Sequence, residues 1–456
     1  MIPDLLNAQK KFFKSGQTLE VAYRKKVLKS LLNHLITREQ DITEALYKDF
    51  KKPEFESVLT ETAIVIQDLK HTIKKLSKWA KPKRVFPALL NFPSSDYLYS
   101  EPYGNVLVIA PWNYPYQLAI APLVGAVAAG NTVVLKPSEL TPNTSALLSD
   151  IIQKVFKPEH VTVVQGGVGT STQLLHQRWD YIFFTGSVNV GKIVAKAAAP
   201  NLTPITLELG GKNPCIIDET ANIKLTAKRV VWGKFVNAGQ TCIAPDYVLI
   251  HHTKKEAFYK AIQHEIELAY GQNPEDSKDL ARIINIKNFE RLSELLVNQK
   301  CKIGGQTNAK DLYIAPTIID EPKLDSEVMK DEIFGPILPV VSYQDVSDLD
   351  RIILSYNKPL SLYVFSTNSA KAKQLIKKYS FGGGCINDTI VHFANHRLPF
   401  GGVGNSGIGA YHGQYTFDTF SHKKGIVKKA NWLDIPVRYA PYKGKLNTVR
   451  KVLKWL

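Results

Sequence analysis

The chain has little cysteine: four in 456 residues, at Cys215, Cys242, Cys301 and Cys385. They are far apart, and none forms a CxxC pair. That sparseness argues against a disulfide framework and against a zinc cluster, so no metal is expected. A reducing compartment fits better, and a cytoplasmic location is expected. Long apolar runs are also missing. A membrane-spanning helix needs about 18 consecutive apolar residues. The nearest approach, Val106 to Leu135, is broken by Pro111, Asn113, Pro115, Gln117, Gly125, Gly130 and Asn131. The N-terminus lacks the basic, apolar, small-residue order of a secretory signal. Internal repeats and low-complexity stretches are absent, as is any RNA- or DNA-binding motif, so nucleic acid is not an expected partner. Acids are in short supply, 41 against 58 Lys and Arg, for a net charge of +17.

The excess positive charge is unevenly spread. Residues 421–456 hold ten Lys and Arg against one acid, Asp434. Between Lys70 and Arg84 lie Lys74, Lys75, Lys78, Lys81 and Lys83 with no acid among them. Both stretches read as solvated basic faces. The sharper alternative is a weak peripheral attraction of the C-terminus to an anionic membrane. The basic, amphipathic end Arg450 to Leu456 is far too short to span one.

The length predicts more than one compact core. The first eighty residues read as helices. Val21, Val27, Leu28, Leu31, Leu32 and Leu35 recur at helical spacing. Asp41-Ile42-Thr43-Glu44 resembles a capping box. A long amphipathic helix is expected from Glu56 to Trp79, ended by Pro82. After Gly104 short apolar runs (Val106–Ala110, Thr132–Leu135, Val161–Val164, Tyr181–Phe184) alternate with helical stretches (Leu118–Ala129, Thr144–Phe156). A second alternating series runs from Cys215 past Phe365 and includes Tyr247–Ile250, Tyr313–Ile319, Leu338–Val341 and Leu362–Phe365. Such alternation predicts mainly parallel sheets covered by helices. Two α/β units are therefore expected in sequence, joined near Glu208-Leu209-Gly210-Gly211-Lys212. Residues 85–103 fit neither unit. They predict a polar loop and an edge strand of the kind that pairs across a subunit interface.

Four features carry chemistry. Cys242 lies in Asn237-Ala238-Gly239-Gln240-Thr241-Cys242-Ile243-Ala244-Pro245, among small and polar residues. A thiol meant only for packing more often sits among large apolar residues, so a nucleophile and a packed thiol are even alternatives here. The helix read over Leu225 to Val236 would place it at a C-terminal end, without help from the helix dipole. Glu208 follows the apolar run Ile205-Thr206-Leu207 and precedes Gly210-Gly211. A carboxylate there can reach into a cleft as a general base, or end a strand at the surface. Asn113, in Pro111-Trp112-Asn113-Tyr114-Pro115, offers an amide held between two prolines, suited to an oxyanion hole or to a plain turn. Gly186-Ser187-Val188-Asn189-Val190-Gly191 follows a strand and opens a helix, whose free N–H groups can bind phosphate. Lys136-Pro137-Ser138-Glu139 also follows a strand and could hold ribose hydroxyls.

Together, in this order, these segments resemble the NAD(P)-dependent aldehyde dehydrogenases, and most closely the class 3 branch with the fatty aldehyde dehydrogenases. The similarity runs from about residue 10 to about residue 425. It rests on PWNYP (111–115), KPSE (136–139), FTGSVNVG (184–191), LELGGKNP (207–214) and GQTCIAPDYV (239–248), with EIFGP (332–336), LPFGGVGNSG (398–407) and AYHGQYTFDTFSH (410–422). The resemblance implies an α/β fold with a Rossmann-type cofactor domain (residues 1–84 and 104–210) and an α/β catalytic domain (211–410). A small β oligomerisation arm (85–103 and 411–424) and a basic C-terminal tail (425–456) would complete it. A homodimer is implied.

By the same resemblance, Cys242 attacks the aldehyde to form a thiohemiacetal, and Asn113 and the Cys242 backbone N–H hold the oxyanion. Hydride leaves to the nicotinamide, and Glu208 activates the water that hydrolyses the thioester. Lys136 resembles the adenosine-ribose ligand and Glu332 the nicotinamide-ribose ligand, with Phe334 near the cofactor and Gly186 to Gly191 beside the pyrophosphate. Glu139 matches the position facing the adenosine 2′ site. A carboxylate there repels a 2′-phosphate, so NAD is expected over NADP, with NADP as a second acceptor. Tyr114, Trp232, Thr241, Phe400 and His412 match the family's substrate channel, and an aromatic lining favours medium- or long-chain aliphatic or aromatic aldehydes. Apocarotenoid or coniferyl-type aldehydes are an alternative. No Arg cluster marks a carboxylate pocket, so a semialdehyde is not expected. Glu208 argues against a CoA-acylating variant. A non-catalytic membrane-surface protein on this fold is the alternative from another class.

Overall fold

The computed structural model describes residues 2–454. Its N-terminal helices Val21–Thr37 and Glu39–Phe50 form where apolar side chains recur every three or four residues, and Leu28, Leu31, Leu35, Ile42 and Leu46 are fully buried. The capping box expected at Asp41 does not form. The helix begins at Glu39, with Arg38 at the cap position, and Arg38 binds both Asp41 and Asp150. Asp41 is thus a first-turn acid paired to a guanidinium, not a cap.

The long helix expected from Glu56 is interrupted near its start. Glu54–Ser57 is α-helical, Val58–Thr62 is a π turn, and Ala63–Trp79 continues as α-helix. The buried Glu61 lies in that π turn. Its carboxylate accepts hydrogen bonds from Lys52 Nζ at 2.6 Å and from the backbone of Tyr116 and Gln117 at 3.0 and 3.1 Å. A single-turn π insertion of this kind often marks a functional region.

A six-stranded sheet follows. Its five parallel strands, taken in chain order, are Asn105–Ile109, Thr132–Lys136, Val161–Val163, Tyr181–Thr185 and Ile205–Glu208. In space the third, second and first are followed by the fourth and fifth. The winding therefore reverses between Asn105–Ile109 and Tyr181–Thr185, and such a reversal opens a crevice at the carboxyl ends of the strands. The sixth strand, Gly407–Ile408, returns from late in the chain and pairs antiparallel with Ile205–Glu208, setting Gly407 opposite Glu208. The second sheet has seven strands, parallel except for Cys301–Ile303 at one edge. The run expected as one strand from Tyr313 to Ile319 splits into Tyr313–Ile314 and Thr317–Asp320, which belong to different sheets. Pro316, which has no N–H to give a ladder, lies between them.

The strand expected within residues 85–103 is an edge over only part of its length. Ser94–Pro102 runs between Lys83–Val85 and Ser421–Lys429 in a three-stranded antiparallel sheet. Ser421–Lys429 pairs along its whole length, but Lys83–Val85 flanks only Asp96, Tyr97 and Leu98, so residues 99–102 have a strand partner on one side alone. Ser421–Lys429 continues past residue 424, and a short helix, Leu446–Leu453, follows near the end. Trp455 and Leu456 of the basic terminus lie outside the described residues. Among the described residues, no helix is long and apolar enough to cross a membrane.

Candidate active site

Cys242 lies just beyond the end of the helix Ile223–Phe235. The next residues do something unusual: Asn237, Ala238 and Gly239 all take positive φ, at 57°, 52° and 72°. For a non-glycine residue this costs roughly 1–2 kcal/mol, so the turn must be held by its surroundings. Asn237 donates its side-chain amide to Asn113 O at 2.8 Å and to Gln240 O at 3.2 Å, and its backbone N–H to the Glu56 carboxylate at 2.9 Å. Gln240 donates to Asn237 O and Arg282 O and accepts from the Ile284 backbone. At Gly239 a Cβ would sit 2.3 Å from Gly335 O, so only glycine fits. Asn213 then donates to Cys242 O at 2.8 Å and Ala244 O at 3.0 Å, fixing the turn that carries the sulfur.

Cys242 opens into a mainly apolar cavity of about 400 Å³. Glu208, Thr241, Tyr114, Trp232 and Phe400 share its wall, so five of the expected site residues converge with the thiol. Trp232 is 38% exposed and lies toward the mouth. Two expected residues are not on the wall. His412 lies behind it, stacked on Phe400 with ring centroids 5.2 Å apart, and burial pushes its pKa down to about 3. It is a neutral packing ring, not a channel surface. Asn113 is buried and donates its side-chain amide to Gln240 O at 3.0 Å. That bond commits one of its two N–H groups and leaves one for an oxyanion.

Electrostatically the site is poised rather than charged. Both carboxylate oxygens of Glu208 are buried without a hydrogen-bond partner, and burial holds its carboxyl well above the usual range. Burial, then the Glu332 and Glu208 carboxylates, push the Cys242 thiol up. The backbone amides of Cys242 and Ile243 oppose this by favouring the thiolate. Burial therefore disfavours the ionised form of both the thiol and the acid.

The remaining expected residues lie around the carboxyl ends of the first sheet. Ser187 caps the helix Val188–Ala198 by accepting from Val190 N at 3.4 Å. The first amides of that helix have no intrahelical acceptor. Gly191 has a different task. A Cβ there would come within 2.7 Å of Leu209, so it lets the helix pack on its neighbour. Lys136, at the end of its strand, donates to Glu139 at 2.6 Å. Glu332 is pushed up to about 8, first by burial, and its Oε1 is buried without a partner. Its carboxylate sits where Gly210 has no side chain; a Cβ there would be 2.2 Å away. Phe334 takes a positive φ of 55° and packs edge-on against Trp112 at 5.3 Å. A helix start with free amides, a buried amine and a carboxylate with one unpartnered oxygen fit the phosphates and ribose hydroxyls of a dinucleotide.

Some contributors carried no clear signal in the sequence. Asn213 lies inside the LELGGKNP segment, yet nothing local says that it holds the nucleophile turn. Leu59, Thr60 and Ile64 reach the cavity from the N-terminal helices, and Val391 and Phe393 from a turn far down the chain. Their amphipathic spacing gave the helix face but not what the face meets.

The Aldehyde dehydrogenase family profile matches residues 2–426. The 4,4'-diaponeurosporen-aldehyde dehydrogenase of Staphylococcus aureus is 47% identical over 98% of this chain and 97% of its own length. Aldehyde dehydrogenase family 3 member H1 of Arabidopsis thaliana is 42% identical over 99% of this chain and 94% of its own. The solved structure of Staphylococcus aureus AldH in its substrate-bound state superposes with a TM-score of 0.98. It is 45% identical and covers 99% of both chains.

Proposed function

Since the chain belongs to the aldehyde dehydrogenase family, we propose that it oxidises medium- or long-chain aliphatic or aromatic aldehydes to carboxylic acids at Cys242, with NAD as the preferred cofactor. The observation that carries this reading is the convergence of the Cys242 thiol and the unpartnered Glu208 carboxyl in one apolar cavity. The Cys242 thiol gives its proton to solvent, the thiolate adds to the aldehyde carbon as the C=O π bond breaks, and the new oxyanion is met by the Cys242 backbone N–H and the free N–H of Asn113. When bound, the dinucleotide supplies an acceptor for hydride. Lys136, Glu139, the helix start at Gly186 to Gly191, Glu332 and Phe334 would hold it. The acyl group left on Cys242 is a thioester, and Glu208, once it has lost its own proton, takes a proton from the water that hydrolyses it. The apolar wall excludes other water and strengthens each of these interactions.

Domains are assigned on the same reading: a cofactor domain over residues 1–84 and 104–210, a catalytic domain over 211–410, an oligomerisation arm over 85–103 and 411–424, and a basic tail beyond. The chain acts as a cytoplasmic homodimer, with the free edge of Ser421–Lys429 at the interface. Sedimentation velocity giving a monomer at micromolar concentration would count against that arrangement. The tail adds weak peripheral attraction to anionic membranes, which vesicle co-sedimentation at low and high salt would test.

A second reading is specialisation for an apocarotenoid or coniferyl-type aldehyde. The apolar wall and the 47% identity to a 4,4'-diaponeurosporen-aldehyde dehydrogenase favour the apocarotenoid form. A non-catalytic membrane-surface role leaves the buried thiol and acid unexplained. Initial rates with NAD and NADP decide among these, over aldehydes of increasing chain length, benzaldehyde-type compounds and a polyene aldehyde. No oxidation of any of them would sink the proposal.

A further inference from the structure

A second cavity, of about 430 Å³, lies beside the first and has the opposite character. Lys75, Lys78 and Arg397 line it, with His71 and His396 between them. The two imidazoles face each other at 4.1 Å between ring centroids. None of the three cationic side chains has a hydrogen-bond or ion-pair partner among the described residues. The one carboxylate in the wall, Asp418, is bound by Lys423. Asp68, on the same helix, accepts from the Gly413 backbone and is not part of the wall. His71 registers the field: burial, then His396, Lys75, Arg397 and Lys74, all lower its affinity for a proton. Like charges gathered in a concave, partly desolvated space raise the local potential and attract a counter-ion. A guanidinium with two ammonium groups suits an oxyanion, which Arg can grip with two parallel bonds.

The position of this pocket matters as much as its charge. Ile64 and Gln67 of the helix Ala63–Trp79 line the aldehyde cavity, and His71, Lys75 and Lys78 line the cationic one. Their spacing of three or four residues makes a single stripe along the helix, with about 6 Å of rise between Gln67 and His71. The opposite wall is shared as well. Phe393 and Ala394 serve the first cavity, and His396 and Arg397 the second.

We propose that this pocket binds a carboxylate or phosphate oxyanion at the rim of the aldehyde cavity. The oxyanion has two sources: the far end of a substrate lying in the cavity, as in an ω-oxo carboxylic acid, or a free anion such as phosphate. The first source rests on the aldehyde reading above, and the second does not. The absence of an Arg cluster from the sequence counted against semialdehydes. A cationic cluster of one Arg and two Lys exists in space, built from residues more than three hundred positions apart.

The test has two arms, run on the full chain and on a Lys75→Gln, Lys78→Gln, Arg397→Gln triple variant. Calorimetric titration with inorganic phosphate at low ionic strength reads the free anion. Binding to the parent chain, weakened about tenfold or more in the variant, is expected. Phosphate bound instead at the helix start near Ser187 would not respond to these changes. The second arm compares kcat/KM for an ω-oxo carboxylic acid with that for the plain aldehyde of equal length. A fall of about tenfold in this ratio, with the plain aldehyde unchanged, assigns the pocket to the substrate's far end. Weakened phosphate binding with an unchanged ratio assigns it to a free anion. Phosphate binding that is absent or unaffected by the substitutions, together with an unchanged ratio, overturns the proposal. A chain that oxidises no aldehyde defeats the proposed function but leaves the phosphate titration readable. Should the triple variant melt early, Lys78→Gln alone, at an exposed helix position, gives the same sign of effect.

Discussion

The Tyr114 hydroxyl lies 2.6 Å from the Thr241 hydroxyl, one residue before the nucleophile. The Tyr114 ring lies 4.1 Å beneath Lys52 Nζ, and Lys52 is paired with the buried Glu61. A buried ion pair is therefore linked, through one ring and one hydrogen bond, to the turn that carries Cys242. Tyr114→Phe keeps the ring under Lys52 and removes only the hydroxyl. A hydrogen bond of this kind contributes about 1 kcal/mol, so kcat/KM should fall roughly fivefold. Thr241→Val should cost a similar amount, and the double variant little more than either, because both remove the same bond. Fully additive losses would show that the two hydroxyls act independently.

Glu208 should reveal itself through pH as well as rate. An acid whose folded pKa lies above its unfolded value loses stability for the protein as pH rises through the unfolded value, and the loss is complete above the folded one. Burial raises Glu208 in this way, so the folded chain bears that loss at high pH. Glu208→Gln removes it and should raise the melting temperature at neutral and higher pH, by an amount on the order of 2 °C. The gain should vanish near pH 4, where the parent carboxyl is protonated in both states. The same variant should still form the acyl enzyme but turn over at least about a hundredfold more slowly, in keeping with the loss of a general base. In the parent, deacylation should speed up as pH rises above the ordinary carboxylate range. A deacylation rate that is flat from pH 5 upward would remove Glu208 from the base role.

Cys242→Ala separates chemistry from binding. The sulfur is the group meant to bond to substrate, whereas the free helix amides near Ser187 and the Glu332 carboxylate lie on other elements. Aldehyde oxidation should disappear while quenching of protein fluorescence by NAD persists with a similar midpoint. Retention of substantial oxidation by the alanine variant would mean that another group makes the covalent bond.

Much of this arrangement was legible in the sequence because it is local. Strand-helix alternation gave the two α/β units, and the small and polar residues around Cys242 set its thiol apart from a packing one. The sequence order of Asn113, Glu208 and Cys242 matched a family before any coordinate was needed. What stayed hidden depends on where the chain returns to itself. Asp41 looked like a cap until Arg38 took its carboxylate. Ser94–Pro102 looked like an unpaired edge, yet Ser421–Lys429, more than three hundred residues later, pairs along its whole length. His412 matched a channel position, yet its ring stacks behind Phe400. The gathering of Lys75, Lys78 and Arg397 has no local signature, since nothing near Arg397 in sequence says that the helix Ala63–Trp79 lies opposite.

On the proposed reading, cofactor preference would turn on one carboxylate with two demands on it. Lys136 donates to Glu139 Oε2 at 2.6 Å. Burial pulls the Glu139 carboxyl up, but the hydrogen bond from Lys136, a backbone N–H bond of Glu139 itself and the Lys136 charge together outweigh it, and the group stays below the usual carboxylate range. Glu139 is therefore ionised at neutral pH. The ionised carboxylate would face a 2′-phosphate with like charge. Lys136 weakens that repulsion without cancelling it, because its charge is shared between the carboxylate and any ribose hydroxyl it holds. Replacing Glu139 with Gln keeps an oxygen for Lys136 and removes the negative charge. The ratio of kcat/KM for NAD to that for NADP should then fall about tenfold, equivalent to about 1.4 kcal/mol of lost discrimination, mostly through a lower KM for NADP. The effect should shrink as salt is raised, since the group is partly exposed and screening acts on it. A parent enzyme that already prefers NADP, or a ratio indifferent to Glu139→Gln, would place the source of cofactor choice elsewhere.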